Sequence, residues 1–356
     1  MNIIKAFILS ILIFSSENSF AQRQGSSTEP TGKFWGVAFG DYFYKAGGDS
    51  TISSLEYTKY KKDFNSFEFR RVNIGFDYSL NENFASTISV SYDGEELTSD
   101  GKRTLYLRDA NVKWKNIFTN SDLSFGILPT PGFTVVSEKL WSYRSVEKTI
   151  MDQRGILGSR DIGIMLNGAF NKNKTVGYYL MIGNGRGTRL ETNKYKRFYG
   201  NLFYNSPNKK IVFNVYSDYE QSDLTDVTVI KKFTVESFAG IQLEKFSFGV
   251  EWFRQYQRLK SSGNQVIISG IGILTEPWGL SIFTNGTIEE NRLKFFGRYD
   301  FYNTDNNVPN QHFVSIGLDF MPDKRVHIMP NLWLNAYEKN RKSDVVPRLT
   351  VFFDSR

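Results

Sequence analysis

PTPGFTVVSEKLWSYRSVEKTIMDQRGILGSRDIGIML occupies residues 129–166. A short alternating run, Leu123, Phe125 and Ile127, leads into it, and another, Ile162, Ile164 and Leu166, closes it. Between them lie about thirty residues with no period of two and little turn chemistry, a length that compact domains tolerate mainly where the connection has a job. The flanking runs read as strands. The stretch as a whole predicts a transmembrane β-barrel in which this loop folds inward and narrows the pore.

Working outward, segments of about ten residues alternate apolar with small or polar side chains, the pattern of a barrel strand. Trp35, Val37 and Phe39 alternate with Gly36, Ala38 and Gly40; Val72, Ile74, Phe76 and Tyr78 with Arg71, Asn73, Gly75 and Asp77; Phe84, Ile88, Val90 and Tyr92 with Ala85, Thr87, Ser89 and Ser91. A soluble sandwich alternates too, but two features favour the membrane. Connections alternate in length, with Asn81–Asn83 and Asn171–Lys174 tight and Lys45–Asn65, Asp93–Lys102 and Arg186–Lys194 long, as periplasmic turns and outer loops do. Aromatics also crowd strand ends (Tyr42, Phe43, Tyr44, Trp114, Tyr204, Trp252, Tyr337), where interfacial girdles sit.

Strands are expected near 34–44, 66–80, 84–93, 104–116, 121–128, 160–170, 175–184, 195–204, 209–219, 231–243, 246–256, 278–288, 292–302, 311–320, 326–337 and 345–353. Both ends of such a barrel lie on the periplasmic side, so the count is even and Val266–Leu274 belongs to an outer loop. Sixteen strands enclose a water-filled lumen. In the last strand Leu349, Val351 and Phe353 oppose Arg348, Thr350 and Phe352, followed by Asp354-Ser355-Arg356 in place of a terminal aromatic.

Composition excludes several alternatives. The chain has no cysteine, which removes disulfides, thiolate metal sites and Cys nucleophiles. A net charge of +7 over 356 residues is too dilute for nucleic acid, and no apolar run reaches the roughly 18 residues of a transmembrane helix. Residues 1–21 read as a signal peptide: Lys5, an apolar Ala6–Phe14 core, and Ser19-Phe20-Ala21 before Gln22. Residues 22–33 follow as a flexible periplasmic segment, and 34–356 as the barrel.

The runs FRRVNIGFDY (69–78), LRDANVKW (107–114), FGILPTPGF (125–133), WSYRSVEKT (141–149), SRDIGIML (159–166), GNGRG (183–187), FGRYDFYN (296–303) and VHIMPNLW (326–333) together resemble the phosphate-selective porin O/P family. The resemblance implies a sixteen-stranded outer-membrane porin, often trimeric, whose third loop enters the lumen. The family's lysine cluster and arginine ladder have no residue-by-residue counterpart in this sequence, so phosphate selectivity does not carry over.

Charged groups lining a narrow opening set which ions pass. The constriction candidates are Arg144, Lys148, Arg154, Arg160 and Asp161, with Lys139, Glu138, Glu147 and Asp152 beside them; Arg144, in an aromatic setting, and Arg154, beside Gly155, lead the set. Local pairing that ties the loop to the wall is the bland alternative for each. Alternation assigns Arg71, Lys113, Arg197, Lys294, Arg298 and Arg348 to the lumen wall, with Asp77, Asp93, Asp109, Asp161, Asp218, Glu236, Glu251, Asp300 and Asp319. Such a mixed wall predicts a general or weakly selective pore, with wall charges such as Arg298 paired to a neighbouring strand's carboxylate.

Enzyme signatures are thin. A rim hydrolase needs a His with a Ser and an orienting partner; Ser315 follows His312 on one strand without a Gly-x-Ser-x-Gly context, and His327 falls on the lumen face. The glycines of 183–187 end a strand and open no helix, so they lack a phosphate loop's setting. Asp93, Glu95, Glu96 and Asp100 read as a solvated loop or a divalent-cation bridge to lipopolysaccharide. The expected function is passive diffusion of small hydrophilic solutes or ions across the outer membrane by a homotrimer embedded among lipid and lipopolysaccharide, with no cofactor, no metal and no nucleic-acid partner. A non-conducting adhesion or assembly barrel is the alternative, and a barrel hydrolase ranks last.

Overall fold

The computed structural model describes residues 29–48, 55–94, 97–225, 228–261, 275–304, 309–338 and 341–356. The expected signal peptide and Val266–Leu274 lie outside them. Sixteen strands follow in order: β1 (Thr31–Tyr44), β2 (Asn65–Ser79), β3 (Phe84–Tyr92), β4 (Tyr106–Phe118), β5 (Ser121–Pro129), β6 (Arg160–Ala169), β7 (Val176–Gly183), β8 (Arg197–Asn205), β9 (Ile211–Thr225), β10 (Thr228–Gln242), β11 (Phe246–Ser261), β12 (Trp278–Glu289), β13 (Leu293–Asn303), β14 (Gln311–Asp323), β15 (Val326–Tyr337) and β16 (Asp344–Asp354). Each pairs antiparallel with its sequence neighbours. The ring closes between β1 and β16, with Val37 opposite Asp354 and Phe43 opposite Arg348. Closure removes every free sheet edge, which hydrocarbon cannot hydrate.

The surface is inside-out relative to a soluble protein. Phe67 is 82% and Phe125 68% exposed, and Ile74, Ile88, Val112, Leu180, Leu202, Val215, Ile316 and Val351 stand outward with them. The alternate positions, among them Arg71, Asn73, Ser89, Asp109, Asp218, Asp300 and Thr350, are buried. An apolar exterior around a polar interior is stable only with lipid outside. β1 departs from the expectation: Trp35, Val37 and Phe39 are buried, so its apolar stripe faces inward and Gly36, Ala38 and Gly40 face out. The reason is local. Phe39 packs on Phe352, while the guanidinium groups of Arg70 and Arg71 lie over its ring and that of Arg356 over Trp35.

Phe43 and Tyr337 also leave the expected girdle. Phe43 is buried against Tyr57, and the Tyr337 hydroxyl donates to Asp344. Tyr42, Tyr44, Trp114, Tyr204 and Trp252 remain exposed. One barrel end carries the short connections, the start of β1 and the end of β16. The opposite end carries the described residues of the β1–β2, β3–β4, β5–β6 and β7–β8 connections, and there β9 and β10, 15 residues each, run up to Thr225 and from Thr228. β1 starts at Thr31, which pairs with Ser79, slightly before the alternation makes it visible.

Two β-bulges decide where key arginines point. Along β1 and β2 the register steps from Phe39↔Arg71 to Gly40↔Phe69, leaving Arg70 unmatched. Along β3 and β4 it steps from Ser89↔Asp109 to Val90↔Leu107, leaving Arg108 unmatched. A bulge lets two consecutive side chains share a face. Arg70 and Arg71 are both buried, and Arg108 bonds the buried Asp109, while Phe69 and Leu107 stay exposed.

Candidate functional site

The segment between β5 and β6 contains two short helices, α1 (Ser137–Trp141) and α2 (Ile150–Gln153). Most of its backbone is irregular, and buried irregular backbone needs outside partners for its carbonyls. The barrel strands supply them. Asn201 (β8) donates to the Pro131 carbonyl at 2.8 Å, and Asn285 (β12) to those of Leu140 and Trp141 at 3.0 and 3.2 Å. Arg70 (β2) donates to Ser145 and Val146 at 2.9 and 3.0 Å, Arg348 (β16) to Val146 at 3.1 Å, and Arg298 (β13) to Lys148. Trp333 (β15) donates Nε1 to the Glu147 carboxylate at 2.8 Å, and the Tyr143 hydroxyl donates to Asp319 (β14) at 3.1 Å.

Apolar packing completes the seat. Trp141 is fully buried among Tyr143, Phe283 and Phe296, with ring centroids 5.7, 5.4 and 6.1 Å away. Phe133, Ile150, Met151, Ile156 and Leu157 join Met165, Met181, Tyr199, Tyr216 and Phe253 in a second cluster. The sequence period could not reveal these contacts, because the segment copies the shape of a surface built from distant strands.

The five constriction candidates do not share one opening. Arg144 is held between Glu138 and Asp152, the latter at 2.6 Å. Burial alone lowers its pKa, but these two carboxylates outweigh burial and raise it; Arg144 in turn keeps Asp152 below the ordinary carboxylate range against the upward push of burial. Arg144 and Lys148 line a cavity of about 230 Å³ with Glu56, Arg70, Arg71, Asp93 and Gln153. Arg160 bonds Asp109 at 2.6 Å and lines a larger cavity of about 440 Å³ with Arg186, Arg189, Arg197, Glu220 and Lys232. Arg154 borders neither cavity. Its guanidinium donates to Gln311 at 2.6 Å and sits 4.6 Å from the Tyr302 ring centroid. Burial pulls its pKa down to about 10 against the opposing field of Asp300. Asp161 accepts from the Tyr199 hydroxyl at 2.6 Å and the Gly185 amide at 2.7 Å, fastening the 184–196 connection.

Of the wall residues, Arg71 pairs with Asp93 at 2.9 Å and Asp77 accepts from Thr87 at 2.8 Å. Asp109 receives Ser89 at 2.6 Å in addition to Arg160. Lys113 is half-buried on β4, between the exposed Val112 and Trp114. Arg298 pairs not with a neighbouring strand but with Asp300, two residues along its own, by two nitrogens at 2.8 and 2.5 Å. A planar fork and a carboxylate on one strand face meet bidentately without crossing the ladder. Strict alternation missed Arg70 and Arg108. The doublets Arg70-Arg71 and Arg108-Asp109 are the only local hint, since two adjacent charges cannot both avoid lipid unless the strand bulges.

Arg70 also reaches the 45–64 connection. Its Nη2 pairs with Glu56 at 2.7 Å and its Nε lies 3.4 Å from Asp41. Burial pushes the Glu56 carboxyl up, but the Arg70 guanidinium outweighs it and holds the pKa at about 2. Because that is below the ordinary carboxylate value, the contact stabilises the fold at neutral pH and is lost as pH falls towards about 2. Tryptophan fluorescence, reporting the Tyr57–Trp333 ring contact at 5.5 Å, is expected to hold steady to about that pH and then shift; Arg70→Gln is expected to move the shift towards ordinary carboxylate titration.

His312 Nδ1 lies 2.8 Å from the Tyr299 hydroxyl and its Nε2 3.6 Å from Glu338. Ser315 is fully buried with no hydrogen-bond partner for its hydroxyl, on the opposite face of β14, so the two do not meet. His327 pairs with Asp319 at 2.9 Å. Glu95 and Glu96 lie outside the described residues, and Asp93 and Asp100 pair with Arg71 and Lys102.

No family model matches the chain, and no curated protein matches it in sequence. Solved structures do match in shape. The outer-membrane channel DcaP of Acinetobacter baumannii superposes with a TM-score of 0.66 at 14% identity, over 93% of this chain and 99% of that one. The fold is that of the outer-membrane porins. An anion-selective porin from Comamonas acidovorans aligns with a TM-score of 0.63 at 9% identity over 92% of this chain and 100% of its own. Salmonella typhi OmpF gives 0.61 at 8% identity over 91% and 97%. At these identities the porin fold is shared through strand count, closure and alternation, not through side chains.

Proposed function

We propose that the chain is an outer-membrane porin that admits small hydrophilic solutes or ions by passive diffusion, with residues 129–160 lying across the lumen as its constriction. One observation carries the reading. The backbone of that segment is bonded by side chains from β2, β8, β12, β13 and β16, strands spread around the whole closed ring. A segment outside the barrel could not reach them all. Membership of the phosphate-selective O/P group, a homotrimeric assembly and contact with lipopolysaccharide belong to the same proposal, as does the absence of a catalytic step.

Selectivity is expected to be weak. Arg71, Arg108, Arg144 and Arg160 are met by Asp93, Asp109, Glu138 and Asp152, so these four arginines act as paired charges, and a strongly selective channel needs a ring of one sign. Reversal potentials in a KCl gradient across planar bilayers are expected to show at most modest ion preference. Strong anion preference abolished by Arg144→Glu or Arg154→Glu would overturn this.

The bulge gives a sharper test. The chain lacks cysteine, so Arg108→Cys is the sole thiol of its variant. A charged, water-soluble thiol reagent is expected to label it and reduce conductance, while Leu107→Cys stays unlabelled. The reverse pattern would restore strict alternation and remove Arg108 from the passage.

A second reading, a non-conducting barrel with an adhesion or assembly role, draws support from the apolar clusters around the segment. Single-channel recording decides between the two: a folded protein that inserts but conducts nothing is the sealed barrel.

A further inference from the structure

Two wall glutamates are buried without a cation beside either carboxylate. Glu236 on β10 and Glu251 on β11 are each 1% exposed and form no ion pair among the described residues. Glu251 lies opposite Phe238, and Glu236 opposite Phe253, so the two carboxylates are diagonal neighbours on the inner face. From β9, Asn214 donates its amide to both Glu236 oxygens at 3.2 and 3.3 Å. From α1, Ser137 and Glu138 lie near Glu251, the Ser137 hydroxyl donating to the Phe133 carbonyl at 3.3 Å. Arg298 and Asp300 face Glu251 from β13. The single cation in this set, Arg298, is already bonded to Asp300 and to the Lys148 carbonyl.

Two oxygens here have no protein donor among the described residues, Glu251 Oε1 and Asn214 Oδ1, and both residues are almost fully buried. Like carboxylates at neighbouring buried positions on one face raise the cost of each other's ionised form. A buried acceptor without a donor is costly in its own right. A single proton on the pair answers both problems, since it removes one charge and supplies a donor.

We infer that Glu236 and Glu251 form a proton-binding site beneath α1, holding one proton between them while the 130–159 segment is seated. Loss of that proton to water leaves two facing carboxylates, and the relief open to them is hydration, which requires α1 to lift from β10 and β11. The proton therefore fastens the segment, and its release at alkaline pH loosens it. The consequence for conduction rests on the segment being the constriction; the proton site itself does not.

Infrared difference spectroscopy of the refolded full chain, titrated from about pH 5 to about pH 10, tests the site through the carbonyl stretch of a protonated carboxylic acid. At neutral pH an ordinary glutamate is ionised, so a surviving acid band reports the pair. The expected result is one such band that disappears at alkaline pH, shifts its midpoint to lower pH in Glu236→Gln, and is absent in Glu236→Gln/Glu251→Gln. No acid band at neutral pH, or a band retained by the double variant, overturns the site. A band that calcium chloride suppresses at constant pH overturns it in favour of a cation. Single-channel conductance should rise with the same alkaline midpoint in the wild type and stay flat in the double variant. A pH-flat wild type that shows the band overturns the fastening role, whereas a chain that conducts at no pH counts against the channel reading and leaves the infrared result to decide the site.

Discussion

Replacing residues 132–157 with a linker of about eight Gly and Ser residues is expected to raise single-channel conductance several-fold while leaving the barrel folded. The splice is feasible because the two ends of the segment already meet, the Thr130 amide donating to the Ser159 carbonyl at 3.2 Å. β5 and β6 pair from Pro129↔Arg160 to Ser121↔Gly168 without help from the segment. The wall groups that now bond its backbone, Arg70, Asn285, Arg298 and Arg348, would turn to water, which costs little in a wide aqueous lumen. A deletion variant that inserts with unchanged conductance would show that residues 132–157 obstruct nothing.

Trp141→Ala is expected to produce the largest effect of any single substitution in the segment. The ring is fully buried in the cluster of Tyr143, Phe283 and Phe296, and its Nε1 donates to the Glu147 carbonyl at 2.9 Å. Removing a buried Trp costs roughly 3–5 kcal/mol, and the loss falls on the seat of α1, because the strand ladders do not involve it. Circular dichroism should therefore keep its strand signal while single-channel recordings become noisy and the mean conductance climbs. Trp141→Phe keeps most of the contact area and forfeits one hydrogen bond, about 1 kcal/mol, so its recordings should stay near the wild type. An alanine variant with a quiet, unaltered channel would mean that the seat does not depend on this anchor.

Much of the barrel is legible in the chain because a membrane strand answers to one local rule. Val72 to Asp77 read correctly on both faces, as do Arg348 to Phe353, since each side chain is solvated by lipid or by the interior whatever the distant residues do. The same rule counts the strands, and the outer length of 130–159 marks that connection as unusual. It fails where a contact between distant residues overrides alternation. β1 buries Trp35 and Phe39 because Arg356 lies over the first and Phe352 with the arginines of β2 over the second.

The site was legible in composition but not in arrangement. The sequence alone determined that arginines and carboxylates crowd the 130–159 segment and the strands beside it, and that the period of two places alternate charges inside. Only the tertiary structure decided which charges are held: Arg144 is paired with Glu138 and Asp152 and Arg298 with Asp300, while Asp161 is hydrogen-bonded by Tyr199 and Gly185. It also decided that Arg70 and Arg108 point inward, because a one-residue register step in a ladder is a property of two strands together. Pairing and register are relations between distant parts of the chain, set by the closure of the ring, and a local pattern carries no record of them.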